Sequence, residues 1–115
     1  MKPVIIAKGL KASRLMRDYA ARRLDFALNR VWHNIRAVTV HITDENGPKG
    51  GVDKRCLIKL SMPGLPDIVV TETGHTISVT IDRAIHRAAY TVQRLLSRAR
   101  SFSHAKHTMM LSEFA

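Results

Sequence analysis

The stretch 76–100 most constrains the fold of this chain, because its apolar residues recur at steps of three and four. Such spacing places them in one stripe along an α-helix, and a stripe of this width must be covered by other elements. We therefore expect a long amphipathic helix around which the rest of the chain packs. The stripe consists of Ile77, Ile81, Ala84, Ile85, Ala88, Val92, Leu95, Leu96 and Ala99.

The opposite side of this helix carries a second row of residues, which we call the arginine face. No acidic residue stands four positions before or after any arginine of this row, so the like charges are not compensated within the helix. The row indicates a phosphate-binding surface, because guanidinium groups pair with phosphate oxygens and a tyrosine among them can stack on a base. The alternative is a solvated helix face whose arginines only cover apolar surface. The arginine face consists of Arg83, Arg87, Tyr90, Arg94 and Arg98.

The charge balance of the whole chain points to the same class of partner. The 115 residues include 19 Lys and Arg against 9 Asp and Glu, which gives a net charge of +10. A surplus of this size favours polyanions as partners, with nucleic acid first and an acidic membrane surface second. A basic protein without any polyanionic partner is the alternative interpretation.

The remainder of the chain alternates between short extended segments and one further helix. A nearly continuous apolar run at 3–7 predicts a buried strand, and the one-sided apolar pattern at 14–28 predicts a helix. Alternating or β-branched residues predict three more strands, at 35–43, 52–62 and 68–73. The order β-α-β-β-β-α predicts an α+β two-layer sandwich, with two helices on one face of a four-stranded mixed sheet.

Length and cysteine content indicate one domain in a reducing compartment. Cys56 is the only cysteine, so no internal disulfide exists, and it lies on the apolar side of a predicted strand. We expect residues 1–100 to form a single domain, and 101–115, where the helical period is lost, to form a flexible C-terminal tail. The N-terminal apolar run is too short for a signal peptide, and no segment approaches the ~20 apolar residues of a membrane span. We therefore expect a cytoplasmic protein without a membrane partner.

No pattern of residues indicates catalysis or metal binding. His104 and His107 lie close in sequence, but neither a cysteine nor a carboxylate cluster joins them, whereas a zinc site needs about four ligands. The glycine-rich loop at 47–51 lacks the spacing of a nucleotide-binding loop. We interpret it as a β-β connection, in which Lys49 either contacts a nucleic-acid backbone or has no such role. We expect no enzyme activity, no metal, no cofactor and no small-molecule substrate.

Several further basic residues are weaker candidates for contact with RNA. Arg23 and Arg30 flank the first helix, whose outer side otherwise alternates in charge and is expected to be a solvated structural surface. Lys54 and Arg55 lie on the predicted third strand, where a plain strand surface is the alternative. His86 borders the arginine face and either joins it or is an ordinary surface residue.

The order of elements and two stretches of sequence together resemble the ribosome hibernation-promoting factors, the family that includes ribosome-associated inhibitor A. The first stretch is IAKGL at 6–10 followed by LMRDYA at 15–20, and the second is the start of the second helix at 76–82. The resemblance covers roughly residues 3–100 and points to the short, single-domain form of the family.

The resemblance implies a non-catalytic protein that binds the small ribosomal subunit between its head and body. Members occupy the places of messenger and transfer RNA in stationary or stressed bacterial cells, contact ribosomal RNA through basic residues, and silence translation reversibly. By position, the arginines of the arginine face match the RNA-facing set, while Arg17, Arg22, Arg23 and Arg30 are weaker matches. The alternative is a regulatory module that binds nucleic acid or protein and is unrelated to the ribosome. Whether the protein promotes or prevents ribosome pairing stays open.

Overall fold

A computed structural model describes residues 3–8, 13–44 and 54–114, with the side chains of 3–8, 14–44 and 54–100. The elements follow the predicted order β-α-β-β-β-α, with one short 3-10 turn, Trp32–Asn34, between α1 and β2. They are β1 (Val4–Lys8), α1 (Ser13–Leu28), β2 (Ala37–Asp44), β3 (Lys54–Ser61), β4 (Ile68–Gly74) and α2 (Ile77–Phe114). The predicted loop at 47–51, including Lys49, lies outside the described residues.

The four strands form one mixed sheet in the order β1-β2-β3-β4. β1 runs parallel to β2, and this pairing requires a crossover, which α1 provides. The other two pairs are antiparallel. The register aligns Ile5, Val40, Ile58 and Val70 across the sheet, so that one row of apolar side chains faces the helices.

Both helices pack on the same side of this sheet and close a single core. α1 contributes Ala20, Leu24 and Leu28, which are fully buried or nearly so. From α2, the apolar stripe is buried from Ile81 to Val92 and half-buried at its two ends. The α+β two-layer sandwich is therefore confirmed, and much of the core packs against the apolar stripe of α2.

The prediction that the first strand is buried is wrong. Val4 and Ile6 remain 57% and 36% exposed, while Ile5 and Ala7 are half-buried. β1 is an edge strand, and its alternate side chains point to the side of the sheet that carries no helix, which we call the open face. A continuous apolar run does not reveal that only one of its two sides is covered.

The second helix does not end at Arg100, where the apolar period stops, but continues to Phe114. Loss of the period removes a reason to pack, yet residues 101–114 contain neither glycine nor proline to break the helix. The flexible character of 101–115 stays a prediction, and the side chains of this segment lie outside the described residues.

Cys56 lies in the centre of the core, with none of its surface exposed. Burial, together with the nearby charge of Glu72, raises the pKa of its thiol to about 12. The prediction of a buried cysteine is confirmed.

None of the helices in the described ranges is long and apolar enough to cross a membrane.

Candidate nucleic-acid interface

The arginine face lies on the outer side of α2, away from the sheet. All five of its side chains are exposed, as the helical spacing predicts, and Tyr90 retains 62% of its accessible surface. From Arg83 to Arg98 the helix rises ~22 Å, so the row spans most of the helix that covers the core. Arg83, Arg94 and Arg98 have no ion-pair partner among the residues whose side chains are described.

The prediction that the arginine face has no acidic neighbour is wrong at Arg87. Its Nη1 lies 2.8 Å from Oε1 of Glu72 and also donates to the carbonyl oxygen of Thr71, at 3.2 Å. Both partners belong to β4, which packs beneath α2, so they are not visible in the spacing along the helix. An exposed pair of this kind stabilises little. It holds the guanidinium by one nitrogen, while the N–H groups of Nε and Nη2 have no partner within the described part of the chain and stay available.

Arg23, too, has an acidic partner that the sequence does not reveal. Its Nε lies 3.1 Å from Oδ1 of Asp82, 59 positions later in the chain. The hydroxyl of Tyr19 donates to the same carboxylate, at 2.8 Å from both oxygens. Asp82 therefore ties α1 to the first turns of α2 and fixes the position of Arg23 beside the arginine face.

The hydrogen bond from Tyr19 has a consequence for titration. Asp82 raises the pKa of Tyr19 above its ordinary value of 10.0, first because the neutral hydroxyl donates to the carboxylate, and further through burial and the carboxylate charge, against an opposing effect of Arg23. In a Tyr90→Phe variant, Tyr19 is the only remaining tyrosine. We expect its ultraviolet absorbance to titrate with a midpoint above 10.

The sign of the accompanying stability change follows from proton linkage. Between the unfolded and folded pKa values of Tyr19, the folded state holds a proton that the unfolded state has released, so the free energy of unfolding falls as pH rises. The contribution of this hydrogen bond is therefore complete below pH 10 and is lost above it. A midpoint at or below 10 in the absorbance titration would contradict the observed contact.

Three arginines meet where the arginine face approaches α1. Arg23, Arg83 and Arg87 line one shallow cavity of about 380 Å³, together with His86, Asp82 and Glu72. Three guanidinium groups against two carboxylates leave this cavity with a net positive charge of one. It is a surface that attracts an anionic group while two of its cations are already positioned by carboxylates. His86 lies here, beside the arginine face.

A second groove continues from this cavity between the two helices. It has a volume of about 280 Å³, shares Arg23, Asp82 and His86 with the first cavity, and is walled by Phe26, Ala27, Ile85 and Ala89. Phe26 is 83% exposed. The periodic patterns of the sequence do not mark this residue as functional. The available signal is that a large aromatic residue falls outside the apolar side of α1, next to Asp25 on its charged outer side.

The remaining predicted residues do not join one surface. Arg30 follows the end of α1 and lines a third cavity with Phe26 and Gln93. Lys54 lies 3.6 Å from Asp44, its register partner on β2, and both side chains are largely covered. Arg55 is exposed on the open face, which is the side of the sheet opposite the helices. Because successive residues of a strand point to opposite sides, Arg55 is separated from the arginine face by the sheet, whereas Lys54 points to the helix side and is held by Asp44.

Among the side chains that the structure describes, no group of three or more His, Cys, Asp or Glu residues is placed to hold a metal ion. The site consists instead of exposed cations, two exposed aromatic rings and the carboxylates that orient two of the arginines. Exposed cations of this kind can pair with phosphates, and exposed aromatic rings can stack on planar groups.

Comparison with known proteins bears on the fold. No protein-family model matches the sequence, and no curated protein has a significantly matching sequence. The crystal structure of the Thermus thermophilus Protein Y N-terminal domain is similar with a TM-score of 0.64 and 23% identity, covering 82% of this chain and 98% of that one. A ribosomal subunit interface protein from Coxiella burnetii is similar with a TM-score of 0.69 and 13% identity, covering 84% and 99%. The chain thus has the fold of these two proteins, which confirms the fold that the resemblance in sequence implies.

Proposed function

We propose that this chain is a non-catalytic, ribosome-associated inhibitor of translation in the cytoplasm. It binds ribosomal RNA of the small subunit through the arginine face and blocks the sites of messenger and transfer RNA. The observation that carries the proposal is the exposed row of arginines, of which Arg83, Arg94 and Arg98 have no ion pair among the described side chains.

The physical reason for the proposal is that the arginine face is unfavourable in the isolated protein. Like charges spaced three and four residues apart on a helix repel one another, and burial of apolar area does not require them. Paired with phosphates, the same groups form charge-assisted hydrogen bonds and release condensed counterions. The fold supports the choice of partner, since two proteins that share it are named Protein Y and ribosomal subunit interface protein.

Sedimentation with purified small ribosomal subunits tests the proposal. We expect the protein to migrate with the small subunit in a sucrose gradient at low salt. If four to six phosphates are contacted, a fourfold rise in salt should lower the affinity by on the order of a hundred- to a thousandfold. In cell-free translation, prior incubation of small subunits with the protein should reduce peptide synthesis, whereas addition after initiation should have less effect.

Duplex DNA in the same buffers provides the comparison that separates ribosome binding from general attraction to polyanions. Equal affinity for DNA and for the small subunit would contradict the proposal and favour a nucleic-acid-binding module unrelated to the ribosome. Binding to the small subunit that does not respond to salt would contradict the assignment to an arginine-phosphate surface.

A further inference from the structure

Phe26 is the most exposed large apolar side chain that the described residues contain. It does not stand alone, because it separates two cavities. On one side lies the groove that it shares with Arg23 and His86, and on the other lies a cavity of about 330 Å³ that it shares with Arg30 and Gln93. An aromatic ring with a basic residue on either side is the composition of a surface for single-stranded nucleic acid.

The spacing on α1 repeats that on α2. Arg23, Phe26 and Arg30 follow one another at steps of three and four, and so do Arg87, Tyr90 and Arg94. Residues at these steps are neighbours on one side of a helix, although Arg30 stands just beyond the end of α1. Arg23 contacts Asp82 near the start of α2, and Arg30 shares a cavity with Gln93 further along. The two rows therefore run side by side in the same direction, with the groove between them.

The composition of the groove between α1 and α2 also suits single-stranded nucleic acid. Its floor is apolar, formed by Ala27, Ile85 and Ala89, while its rim carries Arg23 and His86. A nucleobase presents a flat apolar face and a polar edge, whereas its phosphates need cations. The ion pair with Asp82 leaves Arg23 about half exposed and holds it at the rim in advance.

We propose that a single-stranded segment of RNA lies along the groove between α1 and α2, with one base stacked on the ring of Phe26 and its flanking phosphates at Arg23 and Arg30. This inference rests on the proposed function and extends it, because it adds an aromatic contact on α1 to the arginine face of α2. Arginines set the salt dependence of the complex, whereas the stacked base adds affinity that salt does not screen.

Substitution of Phe26 tests the inference through binding to purified small subunits over a series of salt concentrations. Phe26→Ala and Phe26→Leu should each weaken binding by about 5- to 150-fold, which corresponds to the stacking of one base. The slope of affinity against salt should stay unchanged. Phe26→Tyr should bind like the unmodified protein, because it keeps the aromatic face. A short single-stranded RNA that carries 2-aminopurine should lose its stacking-dependent quenching with Phe26→Leu and keep it with Phe26→Tyr.

Val69→Ala is the matched control, because Val69 is also an exposed apolar residue, at 59%, but lies on the open face. It should leave binding unchanged. Full affinity of Phe26→Leu would overturn the inference, since a contact that leucine replaces is not base stacking. If the unmodified protein binds small subunits, Arg83→Glu weakens it and Phe26→Ala does not, the inference fails while the proposed function stands. If the unmodified protein does not bind at all, both fail.

Discussion

Replacing Arg83, Arg94 and Arg98 together by glutamate should lower the affinity for the small ribosomal subunit by about a thousandfold. These are the arginines of the arginine face that have no carboxylate partner among the described side chains, so their donors are free for phosphate. A charge-assisted hydrogen bond contributes about 1.5–3 kcal/mol, and losing three at the lower value corresponds to a thousandfold change. The salt slope should also fall by roughly 2 to 3, since each lost phosphate contact removes about 0.7–0.9.

The open face supplies a control with the same change in charge. Lys8, Arg55 and Lys59 are all exposed there, and their replacement by glutamate also lowers the net charge from +10 to +4, because three reversals remove six charges. We expect this variant to keep most of its affinity, measured by fluorescence anisotropy with labelled protein. If both triple variants lose affinity equally, the total charge governs binding, and the arginine face is not the interface.

The second large effect should come from the core. Ile81 has no exposed surface and lies in the part of the apolar stripe that faces the sheet. Ile81→Asp removes an aliphatic side chain, which alone costs about 2–5 kcal/mol, and places a carboxylate where no water solvates it. A domain of this size is stable by about 5–15 kcal/mol in total. We therefore expect the variant to be largely unfolded at 25 °C, as measured by circular dichroism during urea denaturation.

Val79→Asp provides the comparison on the same helix. Val79 is 46% exposed and lies in the first turn of α2, where a carboxylate interacts favourably with the helix dipole. The free energy of unfolding should change by no more than about 0.5 kcal/mol. A cooperative transition at the unmodified midpoint in Ile81→Asp would contradict the packing of α2 against the sheet.

The fold could be predicted largely because its elements are amphipathic in the ordinary way. In the stripe beginning at Ile77 and in the alternation around Ile58, the apolar residues lie on the side of the element that contacts the core. The period of each pattern therefore specifies both the type of element and the side that it buries. The exposure of β1 does not follow from its sequence, because an edge strand can be apolar on both sides while only one is covered. The end of α2 does not follow from the apolar period, because a helix needs no such period to continue when nothing breaks it.

The candidate site could be predicted only in part, because its electrostatics depend on contacts between distant segments. No acidic residue lies four positions from Arg87 along the helix, but Glu72 of β4 contacts Arg87 in the folded structure. In the same way, Asp82 reaches Arg23 across the interface between the helices. The sequence does not reveal that Phe26 is exposed, because the exposure of a single aromatic residue depends on what packs over it, which the positions of α1 and α2 decide.

Because Cys56 is fully buried, the reactivity of its thiol reports how often the folded structure opens. A thiol reagent cannot reach a side chain that has no exposed surface, and a thiol with a pKa of about 12 is unreactive at neutral pH. Modification therefore proceeds through opened states that expose Cys56, and its rate measures how often such states occur. A molecule that binds the folded chain on the outer surface of its helices disfavours these opened states, so its binding should slow the modification of Cys56.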